Sequence, residues 1–202
     1  KNLDIISMSL PSSGGILIGQ MLKVIEDYDI KSFGHNSVKT VQLLVEAERR
    51  AYADRSHFMG DPDYMDLPVY ELMDKEYVVD RMKNFSWDKA TSSSDVKHGN
   101  IILNESDETT HYSIIDKYGN SVSVTTTLNN SYGSKVFVEE GGFFLNNEMD
   151  DFSSKPGHPN FYGLIGSEAN SIQPGKRMLS SMTPSIILKN NKPSLIVGTP
   201  GG

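Results

Sequence analysis

The segment Glu108-Thr109-Thr110-His111-Tyr112-Ser113 lies where a polar stretch of the chain changes into a β-patterned one. Residues 86–108 are mostly polar and show no clear period. Within them, Thr91-Ser92-Ser93-Ser94-Asp95 has the composition of a linker. The junction therefore separates two regions with different local structure.

The region after Thr109 has the pattern of antiparallel strands. Two strands are predicted over 111–116 and 120–127, joined by a hairpin turn at Lys117-Tyr118-Gly119-Asn120. Further strands are predicted over 142–146, 184–189 and 193–197, with a turn at Asn190-Asn191 between the last two. A long loop rich in proline and glycine spans roughly Ser153 to Arg177.

The region before the linker, from Ser12 to about Phe85, has helical periodicity. The first helix is predicted to begin at Ser12 or Ser13, and the second at Asn36 or Ser37. Their buried faces are predicted to carry Ile18, Met21, Leu22 and Ile25 in the first, and Val38, Val41, Val45 and Tyr52 in the second. The Arg and Glu residues of the second helix are predicted to be solvated. Helices followed by antiparallel strands predict an α+β fold.

Composition excludes several classes of function. The 202 residues carry a formal net charge of −7, which argues against binding to nucleic acid or to an anionic membrane. No apolar run approaches transmembrane length. The absence of cysteine excludes thiol catalysis, and the five scattered histidines show no metal-ligand spacing. Gly14-Gly15 does not belong to a phosphate-binding motif. The sequence therefore predicts neither a metal site nor a cofactor.

Thr109 is a candidate nucleophile because of its place at the junction. Cleavage of the Glu108–Thr109 bond would leave Thr109 with a hydroxyl nucleophile and a free α-amino group as its base. The ordinary alternative is a pair of threonines entering a strand, since their β-branched side chains suit a pleated surface.

Two later segments offer polar groups for a substrate. Thr127 and Asn129 follow the second strand, where a hydroxyl could orient the nucleophile, although Asn is also common in turns. Glu148 and Asp151 belong to an acidic cluster that could hold an ammonium group. The same cluster could be a solvated turn, and it lacks the spacing of a calcium-binding loop.

Two further segments offer donors for negative charge. Ser180 and Ser181 could bind a carboxylate through hydroxyl and backbone N–H groups. Gly201-Gly202 follows a predicted strand and could present two N–H groups to an oxyanion, although Gly-Gly alone is simply a turn.

In this order, these segments closely resemble those of the γ-glutamyltranspeptidases, also called glutathione hydrolases, of the bacterial type. Leu10-Pro11-Ser12-Ser13-Gly14-Gly15 resembles the late part of the large subunit, and Thr109-Thr110-His111-Tyr112-Ser113 the start of the small subunit. The resemblance implies an N-terminal nucleophile hydrolase fold, an αββα sandwich that is incomplete at both ends. It also implies two parts, 1–108 and 109–202, separated by autocleavage between Glu108 and Thr109.

The resemblance implies a role for each candidate residue. Thr109 is the nucleophile, and Thr127 orients it. The substrate α-ammonium group is held by Asn129, Glu148 and Asp151, and its α-carboxylate by Ser180 and Ser181. Gly201 and Gly202 supply the oxyanion donors.

The resemblance also implies the substrates and the cellular location. The stretch 156–167 is similar to the lid loop of bacterial members, with Tyr162 as the gate residue, which favours small donors such as glutathione over poly-γ-glutamate. The implied acceptors of the γ-glutamyl group are water, amino acids or dipeptides. The implied location of the protein is the periplasm or the cell exterior.

The family's carboxylate-binding arginine lies upstream of this chain, so we expect the chain to be an internal piece of a longer protein, inactive by itself. Two alternatives are open. One is an unprocessed or inactive homologue that binds γ-glutamyl ligands. The other is a related amidase similar to cephalosporin acylases.

Overall fold

Helices and antiparallel strands both occur in the computed structural model, which describes residues 3–97, 109–160, 163 and 165–200, and the α+β prediction is confirmed. The helices are α1 (Gly14–Ile25), α2 (Ile30–Phe33), α3 (Val38–Phe58), α4 (Val69–Leu72) and α5 (Lys75–Arg81). The strands are β1 (Leu3–Ser7), β2 (Thr109–Ile115), β3 (Ser121–Thr127), β4 (Phe137–Val138), β5 (Phe143–Phe144), β6 (Ser185–Lys189) and β7 (Lys192–Val197). Two 3₁₀ turns cover Glu148–Asp151 and Glu168–Asn170.

The largest described sheet joins the two ends of the chain. Its strand order is β1-β6-β7, and both pairs are antiparallel. The β6–β7 turn is at Asn190 and Asn191, whose φ angles of 53° and 59° are the left-handed values of a tight hairpin turn. The sequence predicted β6, β7 and this turn but not β1, which is ordered by pairing with a strand about 180 residues away.

The hairpin β2–β3 confirms the two strands predicted after the junction. Thr109 lies opposite Thr127 at its open end. At its closed end, the Asp116 carboxylate accepts hydrogen bonds from the backbone N–H groups of Tyr118 and Asn120. The hairpin lies against β6 and β7, where the Ser123 hydroxyl donates to the Val197 carbonyl oxygen at 3.4 Å. The segment after β7 then reaches Thr109, whose backbone N–H donates to the Pro200 carbonyl oxygen at 3.0 Å.

The buried face of α1 differs from the predicted one. The residues of α1 that are buried are Gly14, Ile16, Leu17, Gln20 and Val24. Ile18 and Leu22, predicted to be buried, instead line the cleft described below. Because α1 is apolar around most of its circumference, its periodicity alone did not select the face that packs on α3.

The predicted face of α3 is wrong. Val38, Val41 and Val45 are 82, 47 and 45% exposed, whereas several charged residues of the helix, including three of the Arg and Glu residues predicted to be solvated, are buried. The buried charged side chains are Glu46, Arg50, Asp54 and Arg55. These charged side chains can be buried because each has a charged or hydrogen-bonding partner. The periodicity of one helix contains no information about such partners.

The buried Arg50–Glu46 pair anchors the start of the polar linker. Arg50 Nη1 donates to Glu46 Oε2 at 2.5 Å, and Arg50 Nη2 donates to the Thr91 hydroxyl at 3.1 Å. The Thr91 backbone N–H completes the cluster by donating to Glu46 Oε1 at 3.0 Å. The linker therefore has a fixed point at Thr91, although its composition indicates no structure there.

We predict that Arg50→Met lowers the free energy of unfolding by about 3 kcal/mol, because it leaves the Glu46 carboxylate buried without its main partner. Urea denaturation measures this change. Lys83→Met is the matched control, since Lys83 pairs with Asp80 on the same protein but both side chains are more than half exposed. Its expected loss is below about 1 kcal/mol, and equal losses in the two variants would contradict the prediction.

Candidate active site

A cleft of about 650 Å³ brings together most of the residues that the sequence singled out. It lies between α1, α3, the open end of β2–β3 and the loops on either side of residue 180. The predicted site residues that line it are Thr109, Thr127, Asn129, Glu148, Asp151, Ser180 and Ser181. Four others, Glu108, Tyr162, Gly201 and Gly202, lie outside the described residues.

Thr109 is positioned by both its strand partner and the end of the chain. It lies directly opposite Thr127, a pairing that places the Cβ atoms about 5 Å apart in an antiparallel sheet. Its backbone nitrogen donates to the carbonyl oxygen of Pro200 at 3.0 Å.

Asn129 links the end of β3 to the acidic turn. It is 5% exposed and has a φ angle of 74°, a left-handed conformation that Asn adopts more readily than most residues. Its backbone N–H donates to the Thr127 hydroxyl at 3.0 Å. Its side-chain amide donates to the carbonyl oxygen of Asn147 at 3.2 Å, directly before Glu148. One residue thus connects the hydroxyl opposite Thr109 with the carboxylates.

Glu148 and Asp151 are the first and last residues of one 3₁₀ turn and both face the cleft. Burial raises the pKa of Asp151 to about 6, with the Glu148 carboxylate adding to the rise and Arg55 opposing it. Burial also raises the pKa of Glu148. At neutral pH Asp151 is therefore ionised but poorly solvated, which suits a carboxylate that binds a cationic ligand group.

The main chain of Ser180 is held by hydrogen bonds to the segment before α1. Its hydroxyl oxygen accepts from the backbone N–H of Met182 at 3.2 Å. Its carbonyl oxygen accepts from the Ser13 backbone N–H at 2.8 Å and from the Ser13 hydroxyl at 2.9 Å. Its own N–H donates to the Pro11 carbonyl oxygen at 3.0 Å. Ser13 stands at the N-cap position of α1 as predicted, but its hydroxyl bonds Ser180 rather than a helix N–H.

Arg55 is a cleft residue to which the sequence analysis gave no role. It is 8% exposed, and its Nε donates to the Ser13 hydroxyl at 2.9 Å. Its positive charge also favours the ionised form of Asp151. Arg49 and Arg50 lie on the same helix with similar local sequence, so no pattern in the chain distinguished Arg55 from them.

His111 and Gly198 form a second contact that the sequence did not indicate. A Cβ atom on Gly198 would lie 2.2 Å from the His111 ring, so the close approach requires glycine. The His111 ring is fixed by Thr125 Oγ1 at 2.8 Å and Ser113 Oγ at 3.0 Å. This contact locks the end of β7 against β2 beside Thr109.

An ion pair holds the segment that leads into Ser180. The Asp61 carboxylate, itself fully buried, accepts from the backbone N–H of Arg177 at 2.8 Å and from its Nε at 2.9 Å. Arg177 Nη2 also contacts Asp61 and Asp63. These hydrogen bonds hold the pKa of Asp61 well below its ordinary value. The Asp61-Pro62-Asp63 turn therefore helps to set the position of residues 178–181.

The described residues contain neither a group arranged to hold a metal ion nor a helix that could span a membrane. Within residues 3–97, 109–160, 163 and 165–200, no group of three or more His, Asp or Glu residues is arranged to hold a metal ion. In the same ranges no helix is both long and apolar enough to cross a bilayer.

Comparisons with known proteins give relatives over the whole chain. A family model described as Gamma-glutamyltranspeptidase matches residues 1–202. The Glutathione hydrolase proenzyme of Escherichia coli K12 is 46% identical over 100% of the chain, and that of Pseudomonas sp. strain A14 is 47% identical over 100%. The chain spans only 35% of the length of each of these two proteins.

A solved structure gives the fold. The cephalosporin acylase of Bacillus halodurans aligns with 97% of this chain at a TM-score of 0.72, using 32% of its own length. The sequence identity is 20%, so this likeness concerns the fold alone. It agrees with the N-terminal nucleophile hydrolase fold implied by the sequence.

We predict that Asp61→Asn lowers the melting temperature at neutral pH and flattens its dependence on acid pH. Asp61 has a depressed pKa in the folded state, so its contribution is complete above the unfolded pKa of about 3.9 and is lost as the pH falls below that value. Thermal unfolding between about pH 7 and about pH 2 measures both effects. Asp63→Asn is the control, because the Asp63 side chain is 73% exposed; an equal effect there would contradict the prediction.

Proposed function

The chain belongs to the γ-glutamyltranspeptidase family. On that premise, we propose that the protein carrying it is an autoprocessing threonine hydrolase and transferase of γ-glutamyl amides such as glutathione. The observation that supports this most directly is the single cleft that gathers Thr109, a pair of carboxylates and the Ser180-Ser181 segment.

Maturation begins at the junction. The Thr109 hydroxyl adds to the carbonyl carbon of Glu108, the C–N bond breaks, and the released nitrogen takes the proton. Water then hydrolyses the resulting ester, which leaves a carboxylate on Glu108 and a free α-amino group on Thr109. The products are the part that ends at Glu108 and the part that begins at Thr109, which stay associated. Pairing of β1 with β6 across the junction supports this association.

In turnover the same hydroxyl attacks the γ-carbonyl of the donor. The α-amino group of Thr109 accepts the hydroxyl proton and later delivers a proton to the departing amine. Thr127, directly opposite in the hairpin, orients the nucleophile. Backbone N–H groups of Gly201 and Gly202 stabilise the oxyanion, an interaction for which one donor contributes about 2.7–4 kcal/mol in comparable enzymes. The bond between Thr109 N and the Pro200 carbonyl oxygen supports this placement.

Specificity arises from the zwitterionic head of the γ-glutamyl group. Glu148, Asp151 and Asn129 bind its α-ammonium group by charge-assisted hydrogen bonds. Ser180 and Ser181 bind its α-carboxylate, with the Ser180 main chain held in place by Ser13. With both ends of the head fixed, only the γ-carbonyl reaches Thr109.

The γ-glutamyl-enzyme passes its acyl group to water or to an amino acid or dipeptide. Tyr162 in the loop 156–167 acts as a gate over the bound group, which favours small donors such as glutathione over poly-γ-glutamate. A location of the protein in the periplasm or outside the cell agrees with this chemistry. Turnover of γ-glutamyl-p-nitroanilide in preference to glutaryl amides distinguishes this function from that of an acylase.

We predict that the protein separates into two fragments at the Glu108–Thr109 bond. Mass spectrometry of the intact protein should give a fragment that begins at Thr109. Thr109→Ala should abolish both the cleavage and γ-glutamyl-p-nitroanilide hydrolysis, because no hydroxyl remains. Thr109→Ser is the matched control, since it keeps the hydroxyl and should still be cleaved. Full activity in an uncleaved protein would contradict the mechanism.

We also predict that kcat/KM for a γ-glutamyl donor falls more steeply once the pH drops below about 6, where Asp151 becomes protonated and no longer attracts the α-ammonium group. This ionisation adds up to about tenfold per pH unit to the loss caused by protonation of the Thr109 α-amino group, because kcat/KM follows the ionisation of the free enzyme. Glu148→Gln should move the decline to lower pH, since the Glu148 carboxylate helps to raise the pKa of Asp151. An unchanged midpoint in that variant would argue against Asp151 as the group responsible.

A further inference from the structure

The loop after Asp151 makes a tight turn that brings a lysine and a histidine side chain to the cleft. Lys155 and His158 both line it. The turn is closed by a hydrogen bond from the His158 N–H to the Lys155 carbonyl oxygen at 3.0 Å. The Gly157 N–H donates to the Gly166 carbonyl oxygen at 3.0 Å and holds the turn against the returning strand of the loop. The backbone that carries the two side chains is therefore held in place at the cleft wall.

The other charged groups of the cleft have different partners or roles. Arg55 is buried and donates to Ser13. Glu148 and Asp151 lie on the acidic turn that binds the α-ammonium group in the proposed function. By contrast, Lys155 is exposed, and no described carboxylate lies within ion-pair distance of its ammonium group. Its charge is available to a ligand.

We propose that Lys155, with His158 beside it, binds the C-terminal carboxylate of the peptide that lies beyond the scissile γ-amide. This inference rests on the proposed function. Once the head of a γ-glutamyl peptide is held, the charge that remains is the carboxylate at its far end. An ammonium group and an imidazole are both donors suited to it.

The dimensions agree with this assignment. Lys155 follows Asp151 by four residues, so their Cα atoms are at most about 14 Å apart. A ligand of three residues spans about 10 Å when extended. This upper limit leaves room for a γ-glutamyl dipeptide to reach from Asp151 to Lys155. A leaving group without a carboxylate gains nothing from Lys155.

The test compares three donors: glutathione, its C-terminal amide, and γ-glutamyl-p-nitroanilide. In the wild-type protein, kcat/KM should favour the free acid over the amide about fivefold, and added salt should reduce this preference. Lys155→Gln should remove most of the preference by raising KM for the free acid, with a smaller further loss in Lys155→Gln/His158→Gln. Lys189→Gln is the charge-matched control, because Lys189 is exposed on β6 and does not line the cleft.

The outcomes separate this inference from the proposed function. Equal use of the free acid and the amide by the wild-type protein, or equal losses on both donors in Lys155→Gln, would overturn the role of Lys155. Either result would leave the proposed function intact if the anilide is still hydrolysed. Failure of the wild-type protein to hydrolyse the anilide would instead contradict the proposed function, and the inference with it.

Discussion

The contact between Ser13 and Ser180 is the interaction on which the cleft depends. Ser13 opens α1, and its N–H and hydroxyl both donate to the Ser180 carbonyl oxygen. Arg55 holds the Ser13 hydroxyl from α3, so one short chain of hydrogen bonds joins the helical region to the Ser180 segment. Because buried donors and acceptors are costly to leave unpaired, this chain fixes the cleft walls relative to one another.

Buried charge serves two different purposes in this molecule. The Arg50–Glu46 pair and the Asp61–Arg177 pair are held by multiple hydrogen bonds and position segments of backbone. Asp151 is half-buried among groups that only partly offset the cost of desolvation, which leaves its pKa raised. A carboxylate in that state gains more from a cationic ligand than a well-solvated one does. The difference separates the structural pairs from the proposed ligand site.

Sequence predicts structure best where the signal is local. Alternation and turn residues predicted β2, β3, β6 and β7, and the predicted cap Ser37 lies where α3 begins. The predicted face of α3 was wrong, because three valines predicted to be buried are exposed and four charged side chains are buried. Strand β1 was not predicted, because its partner is at the opposite end of the chain. Both errors concern partners far away in sequence, which no local pattern contains.

The sequence by itself determined the α+β class, the strand hairpins, the family and the candidate residues, because these depend on local periodicity and on motifs in a fixed order. The tertiary structure decided which of those residues meet in one cleft and which backbone contacts hold them. It also placed Arg55 and Lys155 on the wall of the cleft and brought His111 against Gly198. The physical reason is that burial, pKa and hydrogen-bond partners are properties of a packed environment, and that environment forms only when distant segments come together.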